Sequence, residues 1–109
     1  MRAVPLLTVG LLFLCAGGRA QDPAVNPPSP EQIKRGSDLY AIHCATCHGA
    51  HLANPPWGAN LGEFPRSDHM RFVDTVSNGL RGMPPWGDLL KPDDIEALWA
   101  YVVAGEPKK

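Results

Sequence analysis

The sequence is poor in cysteine, in strand-like alternation and in basic runs. Only three of its 109 residues are cysteine. Cys15 lies in an N-terminal apolar stretch, which leaves Cys44 and Cys47 for the rest of the chain. A fold stapled by several disulfides is therefore excluded. No segment alternates apolar and polar residues over a useful strand length, so a sheet-built domain is not expected. Ten Lys and Arg stand against eleven Asp and Glu, with no run of one sign. That balance argues against nucleic acid as a partner. Beyond the N-terminal run, no stretch is long and apolar enough to span a bilayer.

What is present begins with a targeting pattern. Arg2 gives a short positive start, and Val4 to Ala16 is an apolar run of 13 residues. Gly18 and Ala20 place small residues where a signal peptidase reads. As a helix the run reaches about 20 Å, short of the ~30 Å hydrocarbon core. Cys15 follows Leu14 rather than a small residue, which speaks against lipidation there. The expected division is a signal peptide at 1–20, a flexible leader at 21–30 ("QDPAVNPPSP") and one domain at 31–105. After cleavage, eight basic residues remain against eleven acidic ones, a net charge of −3. So small a domain is marginal on its own apolar core. A disulfide, of which only one is possible, a metal or a buried cofactor has to add cohesion.

Three helices are expected. The first starts at Ser29, with Ser29 as cap, Pro30 at the first helical position and Gln32 at the capping-box position. Ile33, Leu39, Tyr40 and Ile42 form its apolar side. Gly36 weakens it by about 1 kcal/mol relative to alanine, so another helix should approach closely there. Residues 49–66 read as loop. A second helix is expected over Ser67 to Ser77, capped by Ser67, with Met70, Phe72, Val73 and Val76 on its apolar side. "NGLRGMPPWG", 78–87, reads as loop from its glycines and paired prolines. The last helix runs from Pro92 to about Ala104, with Gly105 as stop. Ile95, Leu98, Trp99 and Val102 repeat at helical spacing. The word PPWG occurs at 55–58 and 84–87, but its flanks differ, so no repeat is read.

The chemistry concentrates in "HCATCHGAH", residues 43–51. Zinc needs four ligands in compact pairs. Cys44 and Cys47 could recruit among His43, His48, His51 and His69, yet no second compact pair exists. A thioredoxin-like Cys-x-x-Cys needs a βαβ setting, and here a helix precedes the motif. Haem attachment fits every feature. Two thiols spaced by two residues, Cys44 and Cys47, suit the two vinyl groups of one haem, and His48 is then held under the iron. Thioether attachment requires export, which the N-terminal segment provides.

With these residues in place the chain resembles the small monohaem c-type cytochromes of class I. The resemblance spans about Glu31 to Val103. It rests on Gly36 and Tyr40, "CATCHG" at 44–49, "GMPPW" at 82–86 and "LWAYV" at 98–102. It implies an all-α, cytochrome c-like fold of three or four helices and long loops around one covalently bound haem c. It also implies that the first and last helices cross at Gly36, with Tyr40, Trp99 and Tyr101 beside the crossing. The chain departs from the family at Lys91-Pro92, where Ser or Thr is the usual cap, and a weaker cap is expected.

Met70 and Met83 are the candidates for the sixth iron ligand. Met70 lies on a helix and is expected to pack in the core. Met83 lies in a loop stiffened by two following prolines, and the family uses the methionine of this motif. His43 is expected to point outward, and His51 to stay on the side of His48. His69 reads as a solvated residue at a helix start. Trp57, Trp86 and Phe64 are candidates for the pocket lining, and Pro84 for backing the ligand loop. Arg66, Arg71 and Arg81 are all candidates to pair with the propionates. Met/His ligation fills both axial positions and raises the reduction potential relative to two imidazoles.

The expected function is one-electron carriage in the periplasm, without enzyme activity. Electrons would pass between a dehydrogenase or membrane complex and another redox protein. The ending "GMPPWGDLL…IEALWAYV" looks similar to cytochromes that serve quinoprotein dehydrogenases; a terminal oxidase is the other partner class. The rival is a haem enzyme or gas-binding protein whose sixth position opens, with His51 or His69 as distal acid–base group. A third reading keeps the carrier chemistry in a fixed subunit of a larger oxidoreductase.

Overall fold

The computed structural model describes residues 27–106. The expected signal peptide, Cys15 within it and most of the leader lie outside the described residues. Four α-helices follow in order: α1 Pro30–His43, α2 Ala45–His48, α3 His69–Asn78 and α4 Pro92–Ala104. Two short 3₁₀ turns, Ala50–Leu52 and Leu61–Glu63, interrupt the connection from α2 to α3. Among the described residues the only extended pairing is an isolated bridge between Leu80 and Met83. The all-α class is as expected.

Helix α1 starts where its cap places it. The Ser29 hydroxyl accepts the Gln32 amide at 3.2 Å, and Pro30 occupies a position whose N–H is not needed. Seven residues on, Gly36 takes α1 against α4. A Cβ at Gly36 would stand 1.9 Å from the Ala97 carbonyl oxygen and 2.8 Å from Tyr101 Cβ. Only a residue without a side chain permits this approach. The crossing stacks Tyr40 on Tyr101, with ring centroids 5.3 Å apart. Both rings are essentially dry, at 2 % and 1 % exposure.

Trp99 is not at that crossing, contrary to the expectation. It faces α3 instead. Its ring lies 5.2 Å from Phe72 and 6.1 Å from Phe64. Tyr101, which belongs to the core, takes the α1 side. Trp99 and Tyr101 stand two residues, about 200°, apart around α4, so one helix seals two contacts. Ile42 also departs from expectation: it is 71 % exposed, near the end of α1.

Helix α4 spans the expected residues and stops at Gly105. Its start is better held than the Lys91-Pro92 sequence suggests. The Lys91 amide donates to Asp94 Oδ2 at 3.0 Å. The other carboxylate oxygen of Asp94 pairs with Arg35 of α1. One side chain thus caps α4 and ties it to α1. Helix α3 begins two residues later than expected, with Asp68 at the cap position and no side-chain cap bond. The Asp68 carboxylate is taken by Arg71 Nε at 2.8 Å. Ser67 falls in the preceding turn. Met70 lies two residues, about 200° around the helix, from Phe72, and is turned outward at 78 % exposure, while Phe72 and Val76 are buried. The expected core role of Met70 is therefore corrected.

Candidate functional site

The motif HCATCHGAH sits where α1 passes into the single turn of α2. Cys44 closes α1, its amide bonded to the Tyr40 carbonyl at 2.9 Å. The His48 amide then bonds to the Cys44 carbonyl at 2.9 Å. This continuous helical winding sets Cys44, Cys47 and His48 along one cleft. Tyr40 anchors the turn from below: its hydroxyl donates to the Gly49 carbonyl at 2.6 Å. Burial, and then the nearby Cys44 thiol, push Tyr40 up to about 12. Burial likewise pushes the Cys44 thiol up to about 11, with Cys47 adding to the effect. Cys47 is exposed.

The cleft has a volume of about 560 Å³, within the ~300–1,000 Å³ typical of small-molecule sites. Cys44, Cys47, His48 and Met83 all line it. So do Phe64, Phe72, Trp57, Trp86, Leu98 and Val102. The expected lining by Trp57, Trp86 and Phe64 is therefore present. Arg71 and Arg81 also reach the lining, whereas Arg66 does not. Among the described residues no carboxylate lines the cleft, although the chain as a whole is acidic.

His48 is oriented by a backbone group. Its Nδ1 lies 2.8 Å from the Ala59 carbonyl oxygen. A carbonyl only accepts, so Nδ1 carries a proton, and in the neutral ring Nε2 then keeps its lone pair for a metal. Gly58 makes this contact possible. A Cβ there would stand 2.6 Å from Nδ1 and 2.7 Å from Cε1 of the ring. The Gly58 amide is fixed to the Cys47 carbonyl at 2.9 Å. Sequence reasoning missed both Gly58 and Ala59. The only signal was the glycine of PPWG, and a backbone carbonyl leaves none.

Met83 lies on a tight loop after α3. Leu80 and Met83 exchange backbone bonds at 3.1 and 2.9 Å. The Trp86 amide donates to Val76 and the Gly87 amide to Ser77, at 2.8 and 3.1 Å. Gly79 enters the loop with φ of 75°, and a Cβ on it would stand 2.6 Å from the Met83 carbonyl oxygen. The loop is held by these bonds as well as by its prolines, and Pro84 lines the cleft beside Met83. Each PPWG word puts its tryptophan on the cleft lining.

The other histidines separate clearly. His51 is a surface residue whose Nδ1 lies 3.2 Å from Glu106. His69 is not simply solvated: its Nε2 sits 3.0 Å from both carboxylate oxygens of Glu96, and its ring lies against Trp99. Neither lines the cleft. His43 does, contrary to its expected outward direction, and its ring lies 5.2 Å from that of Trp86.

A cleft with two thiols, a proton-fixed imidazole, a thioether and an apolar lining suits a thioether-linked haem. The sequence profile of the family described as "Cytochrome C oxidase, cbb3-type, subunit III" matches residues 31–102. The chain belongs to this family of class I c-type cytochromes. Members hold haem c covalently and act as electron carriers. The cbb3-type cytochrome c oxidase subunit FixP of Azorhizobium caulinodans is 38 % identical over 70 % of this chain and 28 % of its own length. Cytochrome c6 of Microcystis aeruginosa is 30 % identical over 67 % of this chain and 96 % of its own length. The quinohemoprotein alcohol dehydrogenase ADH IIB of Pseudomonas putida is 29 % identical over 88 % of this chain. The cytochrome thus spans about a quarter of the FixP chain and 16 % of that dehydrogenase. Among the described residues no helix is long and apolar enough to cross a membrane.

Proposed function

We propose that this cytochrome is an exported, periplasmic one-electron carrier. In this reading Cys44 and Cys47 bind the haem through thioethers, and His48 and Met83 are the axial ligands. The domain is 31–105, behind a cleaved signal at 1–20. The observation that carries the ligand set is the bond from His48 Nδ1 to Ala59, which leaves Nε2 unprotonated on the same cleft as the Met83 thioether. When bound, haem supplies a reversible one-electron change at iron. The chain's own residues do the rest. Met83 would hold the iron through a soft thioether sulfur, which favours the ferrous state. The apolar lining excludes water, which keeps the charge change small in structural cost. Arg71 and Arg81 supply the positive charge that two propionates need. Arg71 is pre-positioned, its Nε held by Asp68 and its guanidinium 4.7 Å from the Phe64 ring centre.

The placement of His51 and His69 supports a carrier over a haem enzyme. Each is paired with a carboxylate away from the cleft, so neither serves as a distal acid–base group. The partners are redox proteins, of the quinoprotein dehydrogenase or terminal oxidase class. The relatives include a subunit of one and a segment of another, which also favours the reading as a fixed subunit of a larger oxidoreductase. Absorption spectra of the purified holoprotein test the ligand set. The oxidised form should show a near-infrared methionine–iron band, and Met83→Ala should abolish it. An unchanged band in that variant would refute the assignment. Co-purification with a larger oxidoreductase would decide for the subunit reading over the free carrier.

A further inference from the structure

The described hydrogen bonds of the loop that carries Met83 reach one side only. They run within the loop, or from Gly79, Trp86 and Gly87 to Thr75, Val76 and Ser77 at the end of α3. No described hydrogen bond joins residues 79–90 to α1 or α2. One ring contact does cross between them. His43, the last residue of α1, lies against Trp86 with centroids 5.2 Å apart and planes at 56°. Both rings are half-buried and both line the cleft. The other described ring contacts join α1 to α4, or sit among Phe64, His69, Phe72 and Trp99.

We propose that His43 and Trp86 form a latch that holds the Met83 loop against the haem-attachment segment and keeps the sixth position closed. The inference rests on the ligand assignment above and goes beyond it. His43 immediately precedes Cys44, and Trp86 follows Met83 by three residues. The contact therefore couples the attachment point directly to the ligand loop. For Met83 to leave the cleft, the loop has to swing about its α3 bonds, and that swing separates the two rings. A ring pair of this kind slows separation about fivefold. The α1–α4 crossing is made by Gly36, Tyr40 and Tyr101 and does not depend on His43. Loss of the latch is thus local. His43 and Trp86 are positioning residues: they act through the loop rather than on the iron.

The test is the rate at which added imidazole displaces the methionine in oxidised holoprotein, followed by loss of the near-infrared band. His43→Ala should react about fivefold faster than wild type. His43→Phe, which keeps a ring against Trp86, should return the rate to that of wild type. His43→Leu keeps bulk without an aromatic face and should behave as His43→Ala, so it serves if the alanine variant does not assemble. Equal rates in wild type, His43→Ala and His43→Leu would overturn the latch. Absence of the band in wild type would instead remove Met83 as ligand, and the latch would fall with that earlier reading.

Discussion

Replacing Gly58 with alanine tests how the proposed iron-binding imidazole is held. The new Cβ would stand 2.6 Å from Nδ1 and 2.7 Å from Cε1 of His48. Ordinary contacts between such atoms are about 3.5 Å, so something has to give by roughly 1 Å. The loop resists, because the Gly58 amide is bonded to Cys47 at 2.9 Å. The ring is the softer element. Turning it breaks the 2.8 Å bond from Nδ1 to Ala59, which is worth about 1 kcal/mol net. That bond gives the imidazole more anionic character and so favours ferric iron. Its loss raises the reduction potential. If the whole of the bond energy separates the two oxidation states, the rise is about 40 mV for one electron. A spectroelectrochemical titration of the holoprotein measures it, with the methionine–iron band as a check on the sixth ligand. Gly82→Ala is the control, because no atom lies within 4 Å of a Cβ there. An unchanged or lowered potential in Gly58→Ala, with the band intact, would refute the reasoning.

Gly36→Ala drives a Cβ into the Ala97 carbonyl at 1.9 Å. Backbone clash costs about 3 kcal/mol, helix propensity returns about 1 kcal/mol, and the melting temperature should fall by roughly 10 °C by calorimetry. Gly79→Ala should destabilise the holoprotein and weaken the methionine–iron band, since φ is 75° and the Met83 carbonyl is 2.6 Å from the added atom. Gly82→Ala should do neither, although both glycines belong to the same loop. Tyr40 makes stability fall at alkaline pH. Its folded value of about 12 lies above the ordinary value of 10.0, so beyond about pH 10 the unfolded chain gives up the proton first. Its contribution is intact below that pH and is lost between about 10 and 12, a window that denaturant titrations should show in wild type and much less in Tyr40→Phe.

Local signals carried most of the helical framework. Ser29-Pro30 marked the start of α1, and Pro92 and Gly105 marked both ends of α4, because caps and stops act within a few residues. Gly36 announced a close approach, since an unfavourable residue inside a helix needs a packing reason. Where the signal was ambiguous the reading failed. Ser67 and Asp68 both can cap, and the choice went to Asp68 because the chain turns at 65–68 first. Met70 was read onto the apolar side, yet helical spacing sets it opposite Phe72 and Val76, in solvent. Trp99 sits on the helical stripe of α4, but a stripe does not say which neighbour each part of it meets.

The residues with chemistry to offer were thus determined by sequence alone: two thiols and an imidazole at one spacing, and a methionine between glycine and prolines. Spacing in a short motif is a local property, and covalent chemistry reads it directly. The tertiary structure decided what holds those groups in place. The Ala59 carbonyl that orients His48, the Gly58 that leaves room for it and the Trp86 ring against His43 are contacts between segments far apart in the chain. They depend on how the helices cross and the loops close. No residue type or local pattern encodes that distance.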